Sequence, residues 1–247
     1  NNKKIKKISL EDIITNSSVA LIVKYLISTE RFDLLKIFRF LELDYNNSDQ
    51  FQKMIRTIRQ LRRFSSQQQS KKNIQHLDKN LKGRNVFVRT DFNVPMNGTE
   101  ISDDTRVRAA IPTIKELTER GARVIICSHL GRPKGKVNPE MSLEPVASHL
   151  QSLMSETSIS FVSAGVGPRG SSACSSMSDG SVLVLENVRF HKEETENDDS
   201  FAALLQSSTN ADVYVNDAFG TAHRAHASTC GIASHIPGDR GAGLLMK

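Results

Sequence analysis

The chain has 247 residues, of which 38% are hydrophobic, so it can bury a sizeable core as one large domain or two small ones. Its longest apolar run, residues 19–27, is short and contains Lys24, whereas a bilayer span needs about 20 apolar residues; we predict no membrane span. The cysteines, Cys127, Cys174 and Cys230, are far apart and lack paired metal-ligand spacing, which favours a reducing compartment over a secreted disulfide scaffold.

The charge is unevenly distributed along the chain. Residues 1–77 contain 15 Lys and Arg against 7 Asp and Glu, whereas residues 78–247 contain 18 against 20, within a net charge of +6. A basic segment attached to a nearly neutral body predicts contact with an acidic partner, such as another protein, nucleic acid or an anionic membrane surface.

The front of the chain has helical periodicity. Between residues 10 and 64, apolar residues recur at intervals of three and four, which predicts two or three amphipathic helices. The third, residues 50–63, carries five cations, and a solvated face and a partner-binding face are equally compatible with them. We therefore assign residues 1–64 to a basic helical extension and the polar residues 65–77 to a linker.

Two further expectations concern this extension. The string RRFSS at 62–66 is similar to an organellar presequence cleavage site, although the preceding segment contains acids that such peptides avoid; it favours a plastid or a mitochondrion as the compartment. Nucleic-acid binding through the arginines of residues 56–63 ranks last, because no aromatic residues are interleaved and no recognition motif is present. A protein partner for residues 10–64 ranks first.

After residue 81 the pattern changes to short β-branched runs that alternate with helices. The predicted strands are residues 86–88, 124–127, 159–162, 182–185 and 213–215, and the predicted helices cover residues 107–117, 143–150 and 200–205. Gly121 is placed to end the first helix, and Pro112 lies within it and should bend it. This alternation predicts a doubly wound α/β domain with a mostly parallel sheet.

Each of four predicted strands is followed at once by a polar or charged string. Because ligands bind at the carboxyl ends of strands in open parallel sheets, these strings predict one shared site. Its acidic and amide candidates are Asp91 and Asn93, which could also be turn residues. The basic candidates are Arg106, His129, Arg132, Arg189, Arg224 and His226. Converging guanidinium groups match phosphate and carboxylate oxygens, so a small ligand with both groups would suit the site.

A metal site is not predicted. His223 and His226 have the spacing of two ligands on one helical turn, but the sequence offers no third ligand near them.

Five strings together closely resemble the phosphoglycerate kinase family, in that family's order and approximate spacing. They are VRTDFNVP (88–95), DDTRVRAAIPTI (103–114), SHLGRPKG (128–135), LENVRFHKEE (185–194) and YVNDAFGTAHRAHAST (214–229). The resemblance covers residues 78–247, which correspond to the family's N-terminal domain, and does not extend to residues 1–77. The stretch from 165 to 180 departs from the pattern, because serines and glycines replace a charged helical segment; we expect a loose or shortened helix there.

The resemblance implies a role for each candidate residue. Asp91 and Asn93 should contact the hydroxyl and carboxyl end of 3-phosphoglycerate or 1,3-bisphosphoglycerate. The phosphate should be held by His129, Arg132, Arg189 and Arg224. Arg106 should reach the phosphoryl group in transfer and offset its developing charge, as expected for a reaction that depends on positioning and electrostatics.

The sequence lacks the family's glycine-rich nucleotide loop and the acidic residues that serve magnesium, so we expect no cofactor in this chain and Mg-ATP or Mg-ADP only on a missing domain. Two functions follow. The first is a truncated, non-catalytic protein recruited as a structural or linker subunit. The alternative is an active phosphoglycerate kinase whose nucleotide domain is missing from this chain. Enzymatic activity of the chain by itself is left open.

Overall fold

The computed structural model describes residues 73–246, which belong to a compact unit bounded at Lys71–Lys247. The predicted extension, residues 1–64, and the linker up to residue 72 lie outside the described residues. The end of the predicted linker is folded: a short 3-10 helix, Ile74–His76, is capped by Asn73, and both Ile74 and Leu77 are buried in the core. The folded unit therefore begins before residue 78, because these two apolar side chains complete the packing.

A six-stranded parallel sheet forms the centre of the domain. Its strands are β1 (Asn85–Thr90), β4 (Arg123–Cys127), β5 (Ile159–Val162), β6 (Val182–Leu185), β7 (Val213–Asp217) and β8 (Arg240–Ala242), in the spatial order β5-β6-β4-β1-β7-β8. The two remaining strands, β2 (Met96–Asn97) and β3 (Glu100–Ile101), form a small antiparallel hairpin. In the central pairs, Val88 lies opposite Ile126 of β4 and Val215 of β7.

Helices cover both faces of this sheet, as a strongly apolar parallel sheet requires. They are α1 (Thr105–Glu119), α2 (Glu144–Leu153), α3 (Pro168–Ser175), α4 (Glu193–Glu196), α5 (Asp199–Thr209) and α6 (Ile232–His235). One core contains buried side chains of α1 and α2, such as Ile114 and Leu150; the other contains buried side chains of α3, α5 and α6, such as Leu205 and Ile232. The domain is thus a doubly wound α/β fold.

The predicted elements agree with the structure where the sequence is regular. The strands predicted at 159–162 and 182–185 have the same ends as β5 and β6, and α1 continues through Pro112 to Glu119. The stretch from 165 to 180 contains a helix of eight residues, α3. The hairpin β2–β3, the edge strand β8 and a π-helix at Ala227–Gly231 were not predicted.

Between residues 73 and 246, no helix combines the length and apolar character required to cross a bilayer.

Candidate functional site

The polar strings meet at the carboxyl edge of the sheet, near β1. At this strand the order in which strands are added to the sheet changes from one side to the other. From β1 the chain moves to β4 on one side, whereas β7 pairs with β1 on the other side. Loops diverge at such a switch point and leave a crevice between them. The segments after β1, β4, β6 and β7 all end at this crevice.

Side-chain hydrogen bonds hold these loops together. Ser128 Oγ accepts from the backbone N–H of Phe92 at 2.8 Å and donates to the carbonyl of Thr90 at 2.8 Å, which ties the end of β4 to the end of β1. Asn93 Oδ1 accepts from the N–H of Gly131 at 2.8 Å. Gly131 has φ +62°, and a Cβ there would lie 2.9 Å from a methionine sulfur, so a side chain at this turn would be both strained and crowded.

The third loop is held by an asparagine. The side-chain amide of Asn187 donates to the carbonyls of Leu130 and Met141 at 2.7 and 2.8 Å, and its Oδ1 accepts from the N–H of Arg189 at 3.1 Å. Asn187 itself is buried. The turn Val188–Phe190 is therefore fixed against the loop after β4. The backbone of Arg189, which lies in this turn, is held in place by these bonds.

Asp91 and Arg106 form an ion pair at the mouth of the crevice. Arg106 Nη1 donates to Asp91 Oδ2 at 2.8 Å; the arginine side chain is 52% exposed and the aspartate side chain 10%. Gly220 packs against the same carboxylate, because a Cβ there would lie 2.5 Å from Asp91 Oδ2. The carboxylate is thus fixed, while the guanidinium can exchange its partner for a ligand.

Three arginines line one open cavity of about 380 Å³, together with Lys134, Lys192 and other residues. They are Arg132, Arg189 and Arg224. Arg189 is largely buried and donates from Nη1 to the carbonyl of Gly131 at 3.0 Å, while its buried Nε has no hydrogen-bond partner in the described part of the chain. Burial, with the charges of Arg89 and Arg224, lowers the pKa of Arg189, which nevertheless stays protonated because an arginine pKa lies so far above neutrality.

His129 is a neutral imidazole at this edge. Burial, followed by the charges of Arg89 and Arg189, lowers the pKa of His129 to about 2. Its Nδ1 lies 3.1 Å from Arg89 Nη2, and only Arg89 can donate in that bond. No residue between 73 and 246 bonds to the other ring nitrogen, Nε2, which leaves it for a ligand.

A buried polar network beneath the crevice includes residues that the sequence did not single out. Arg89 is fully buried; its Nε donates to Ser228 Oγ at 2.7 Å, and its Nη1 donates to the carbonyl of Thr90. Ser228 in turn donates to the buried carboxylate of Glu194, from Oγ to Oε1 at 2.7 Å and from its N–H to Oε2 at 2.8 Å. The sequence did contain one signal. Arg89 is the only charged residue of β1, and a charge in a buried strand needs a specific partner.

His226 also borders this network. Its Nδ1 lies 3.6 Å from Glu194 Oε1, and burial is the largest cause that lowers its pKa. Within the described residues there is no group of three His, Cys, Asp or Glu side chains that could hold a metal ion.

The seven residues to which the family resemblance gives a role all lie at this crevice. Asp91 pairs with Arg106, Asn93 and Arg189 both bond to Gly131, and three arginines share the cavity. His129 is close enough to Arg189 and Arg106 for their charges to lower its pKa. We refer to Arg106, His129, Arg132, Arg189 and Arg224 as the basic cluster. Its arrangement of donors can bind an anion that carries both phosphate and carboxylate oxygens.

Fold and site together define the class: an open α/β domain with a crevice lined by cationic side chains at the switch point of its sheet. Comparison with known families makes this specific. The family model for phosphoglycerate kinase matches residues 74–247. The chain therefore belongs to the phosphoglycerate kinase family.

Curated relatives agree with this assignment. The chain is 52% identical to phosphoglycerate kinase of Desulforudis audaxviator over 178 residues, which are 72% of this chain and 44% of the relative. It is also 52% identical to the enzyme of Moorella thermoacetica over 170 residues, 69% of this chain and 42% of the relative. The chain thus spans less than half the length of the relatives it matches.

Solved structures agree as well. Phosphoglycerate kinase from Coxiella burnetii matches with a TM-score of 0.61 and 37% identity, covering 71% of this chain and 42% of that one. The enzyme from Pyrococcus horikoshii matches with the same TM-score and 32% identity. That match covers 70% of this chain and 42% of the Pyrococcus chain. The matched part is again one half of a longer protein.

Proposed function

We propose that the described domain binds 3-phosphoglycerate or 1,3-bisphosphoglycerate in the basic cluster and serves as the acceptor half of a phosphoglycerate kinase. The observation that carries this proposal is the convergence of four arginines and one neutral histidine on a single crevice. Of these arginines, only Arg106 has an acidic partner in the described part of the chain, so the others can bind ligand oxygens without first losing an ion pair.

The phosphate end of the ligand would lie in the cavity that Arg132, Arg189 and Arg224 line. Among residues 73–246, no hydrogen-bond partner is found for the guanidinium groups of Arg132 and Arg224, whose planar forks match phosphate oxygens in bidentate geometry. The buried Nε of Arg189 supports the same placement, because a buried donor without an acceptor is costly unless a ligand completes it. His129 would add an Nε2–H bond to the same group.

The carboxylate end would lie near Asp91, Asn93 and Arg106. In the proposed reaction, a carboxylate oxygen of 3-phosphoglycerate forms a bond to the γ-phosphorus of ATP as the bond between that phosphorus and the ADP oxygen breaks. The half-exposed Arg106 is held by Asp91 at 2.8 Å and can move to the phosphoryl group in transfer. Positioning and charge stabilisation supply most of the catalysis in such reactions. Mg-ATP would be held by a second domain.

Calorimetric titration of the purified chain with 3-phosphoglycerate, alongside a coupled assay of ATP consumption, tests this proposal. We expect saturable binding that Arg224→Ala weakens about tenfold, since a hydrogen bond to a charged group contributes about 1.5–3 kcal/mol. Arg169→Ala, which removes an exposed arginine of α3 that does not line this cavity, is the control and should bind normally. No heat of binding at millimolar ligand would refute the proposal.

A second candidate is a structural role in a larger assembly, through the basic residues 1–77. The observation that favours it is that the family match begins at residue 74, while the 15 cations of residues 1–77 all precede it. A basic appendage of this kind recruits acidic protein surfaces. In this case Arg106→Ala would leave co-purification with partners unchanged, whereas removal of residues 1–64 would abolish it. Turnover of ATP by the purified chain would argue against a purely structural role.

A further inference from the structure

Arg89 is a charged residue in an unusual position. It lies in the central strand β1, is fully buried, and has no carboxylate in direct contact among residues 73–246. Burying a guanidinium in such a position costs free energy unless hydrogen bonds and a counter-charge compensate for the water that it loses. Its three bonds go to Ser228 Oγ, the carbonyl of Thr90 and His129 Nδ1. Only the last leads to the crevice.

We propose that Arg89 is a positioning residue that fixes His129 as the Nε2-protonated tautomer, and that Glu194 holds Arg89 in place through Ser228. This inference rests on the proposed function, since it explains how one member of the basic cluster is prepared for an anion. Arg89 itself does not touch the ligand; it acts through the imidazole.

The tautomer follows from the chemistry of the two groups. A guanidinium has donors and no acceptor, so the nitrogen that faces Arg89 Nη2 at 3.1 Å must carry a lone pair. In a neutral imidazole the proton is then on Nε2. Nε2–H is the ring donor for which the described residues offer no acceptor, and an anion in the crevice would supply one. The other tautomer would present a lone pair to the anion and repel it.

Ser228 connects the arginine to its counter-charge. Its hydroxyl accepts from Arg89 Nε at 2.7 Å and donates to Glu194 Oε1 at 2.7 Å. The hydroxyl proton therefore points to Glu194, because Arg89 offers no acceptor. The carboxylate also accepts from the N–H of Ser228 at 2.8 Å, which fixes the serine backbone. Glu194 is fully buried and compensates the charge of Arg89 through this single bridging residue.

The direct test is ¹⁵N NMR of the histidine rings in the ligand-free protein at pH 7, with His129 assigned by comparison with His129→Gln. We expect a neutral ring with a protonated Nε2 and an unprotonated Nδ1. An imidazolium, an Nδ1–H tautomer or an equal mixture would overturn the proposal. The measurement needs no ligand, so it stands even if 3-phosphoglycerate does not bind and the proposed function fails.

Two variants test the support for Arg89. Ser228→Ala removes the bridging hydroxyl, and Arg89→Lys keeps the charge but cannot reach three acceptors in the same geometry. We expect both to give mixed tautomers at His129 and to bind sulfate or 3-phosphoglycerate about tenfold more weakly, the loss of one charge-assisted bond. Ser207→Ala, an exposed serine of α5, is the matched control and should change neither signal.

A merely structural role would give a different result. If Ser228→Ala weakens anion binding while the His129 resonances keep the wild-type tautomer, the positioning role is refuted. A thermal melt of each variant shows whether it is folded. If Arg89→Lys does not fold, the tautomer of the wild-type protein and of Ser228→Ala decides the question.

Discussion

The two edges of the same parallel sheet differ in whether their arginines are paired with acids. At the amino edge, Arg123 Nε lies 3.0 Å from Asp179 Oδ1, and Arg84 Nε lies 3.7 Å from Asp212 Oδ2. Both acids also accept backbone N–H bonds, from Gly83 and Asn85. Each arginine of these pairs is therefore neutralised by an aspartate that also holds the backbone in place.

At the carboxyl edge, Arg106 is the one member of the basic cluster with an acidic partner among the described residues, Asp91. Arg189 bonds to a carbonyl, and the acid nearest to Arg89, Glu194, reaches it only through Ser228. Positive charge is thus left available to a ligand, at the cost of a supporting network of buried polar groups. The comparison teaches that the number of arginines at an edge does not by itself decide whether positive charge stays open to a ligand; the placement of the acids decides it.

The largest effect should come from Arg189→Met. The change removes several donors from the cavity and leaves the carbonyl of Gly131 without its side-chain partner. We expect about a 100-fold loss of affinity for 3-phosphoglycerate in calorimetry, equal to about 2.7 kcal/mol and within the range of one or two charge-assisted bonds. Arg123→Met makes the same change at the amino edge and should bind normally; equal losses in the two variants would refute the comparison.

A smaller effect concerns the pH dependence of folding. The pKa of His129 in the folded protein is about 2, far below its ordinary value of 6.5. Below about pH 6.5 the unfolded chain therefore binds a proton that the folded chain does not, and the free energy of unfolding falls as the pH falls. In urea titrations at pH 7 and pH 5, His129→Gln should reduce the difference between the two free energies by about 2 kcal/mol.

His149→Gln is the matched control for that experiment. This histidine side chain is 32% exposed and lies 2.8 Å from Asp104, so it lacks the burial on which the prediction for His129 depends. An unchanged difference in His129→Gln would mean that folding does not lower the pKa of His129.

The smallest effect is expected at the amino edge. Asp179→Asn breaks the ion pair with Arg123 but keeps an oxygen for the N–H of Gly83. Because the two side chains are about 30% exposed, the free energy of unfolding should fall by no more than about 1 kcal/mol. Affinity for 3-phosphoglycerate should not change. A clear loss of binding here would mean that the two edges are coupled.

Regular strands and helices could be read from the sequence because their apolar runs are long enough to be distinctive. The runs at 159–162 and 182–185 gave β5 and β6 with the correct ends. Strand β8, Arg240–Ala242, could not be found in this way, since a three-residue segment with a glycine and an arginine carries no periodic signal. It becomes a strand only because β7 offers it a partner.

The site shows the same division. The candidates Asp91, Asn93 and Arg106 were visible because they follow or flank a recognisable strand within motifs of the family. Glu194 and Ser228 were not, because an acid in a charged string and a serine in a segment without clear periodicity both resemble ordinary surface residues. Their importance depends on a contact between positions 34 residues apart in the chain.

The amino-acid sequence by itself determined the doubly wound α/β class and the family, and it supplied the candidates for the proposed site, because periodicity and motif order are local properties. Only the tertiary structure decided which charges are neutralised and which stay open. It placed Arg89 against His129 Nδ1 and tied it to Glu194 through Ser228. Such pairings depend on distances across the fold, and burial then decides the protonation state of each group.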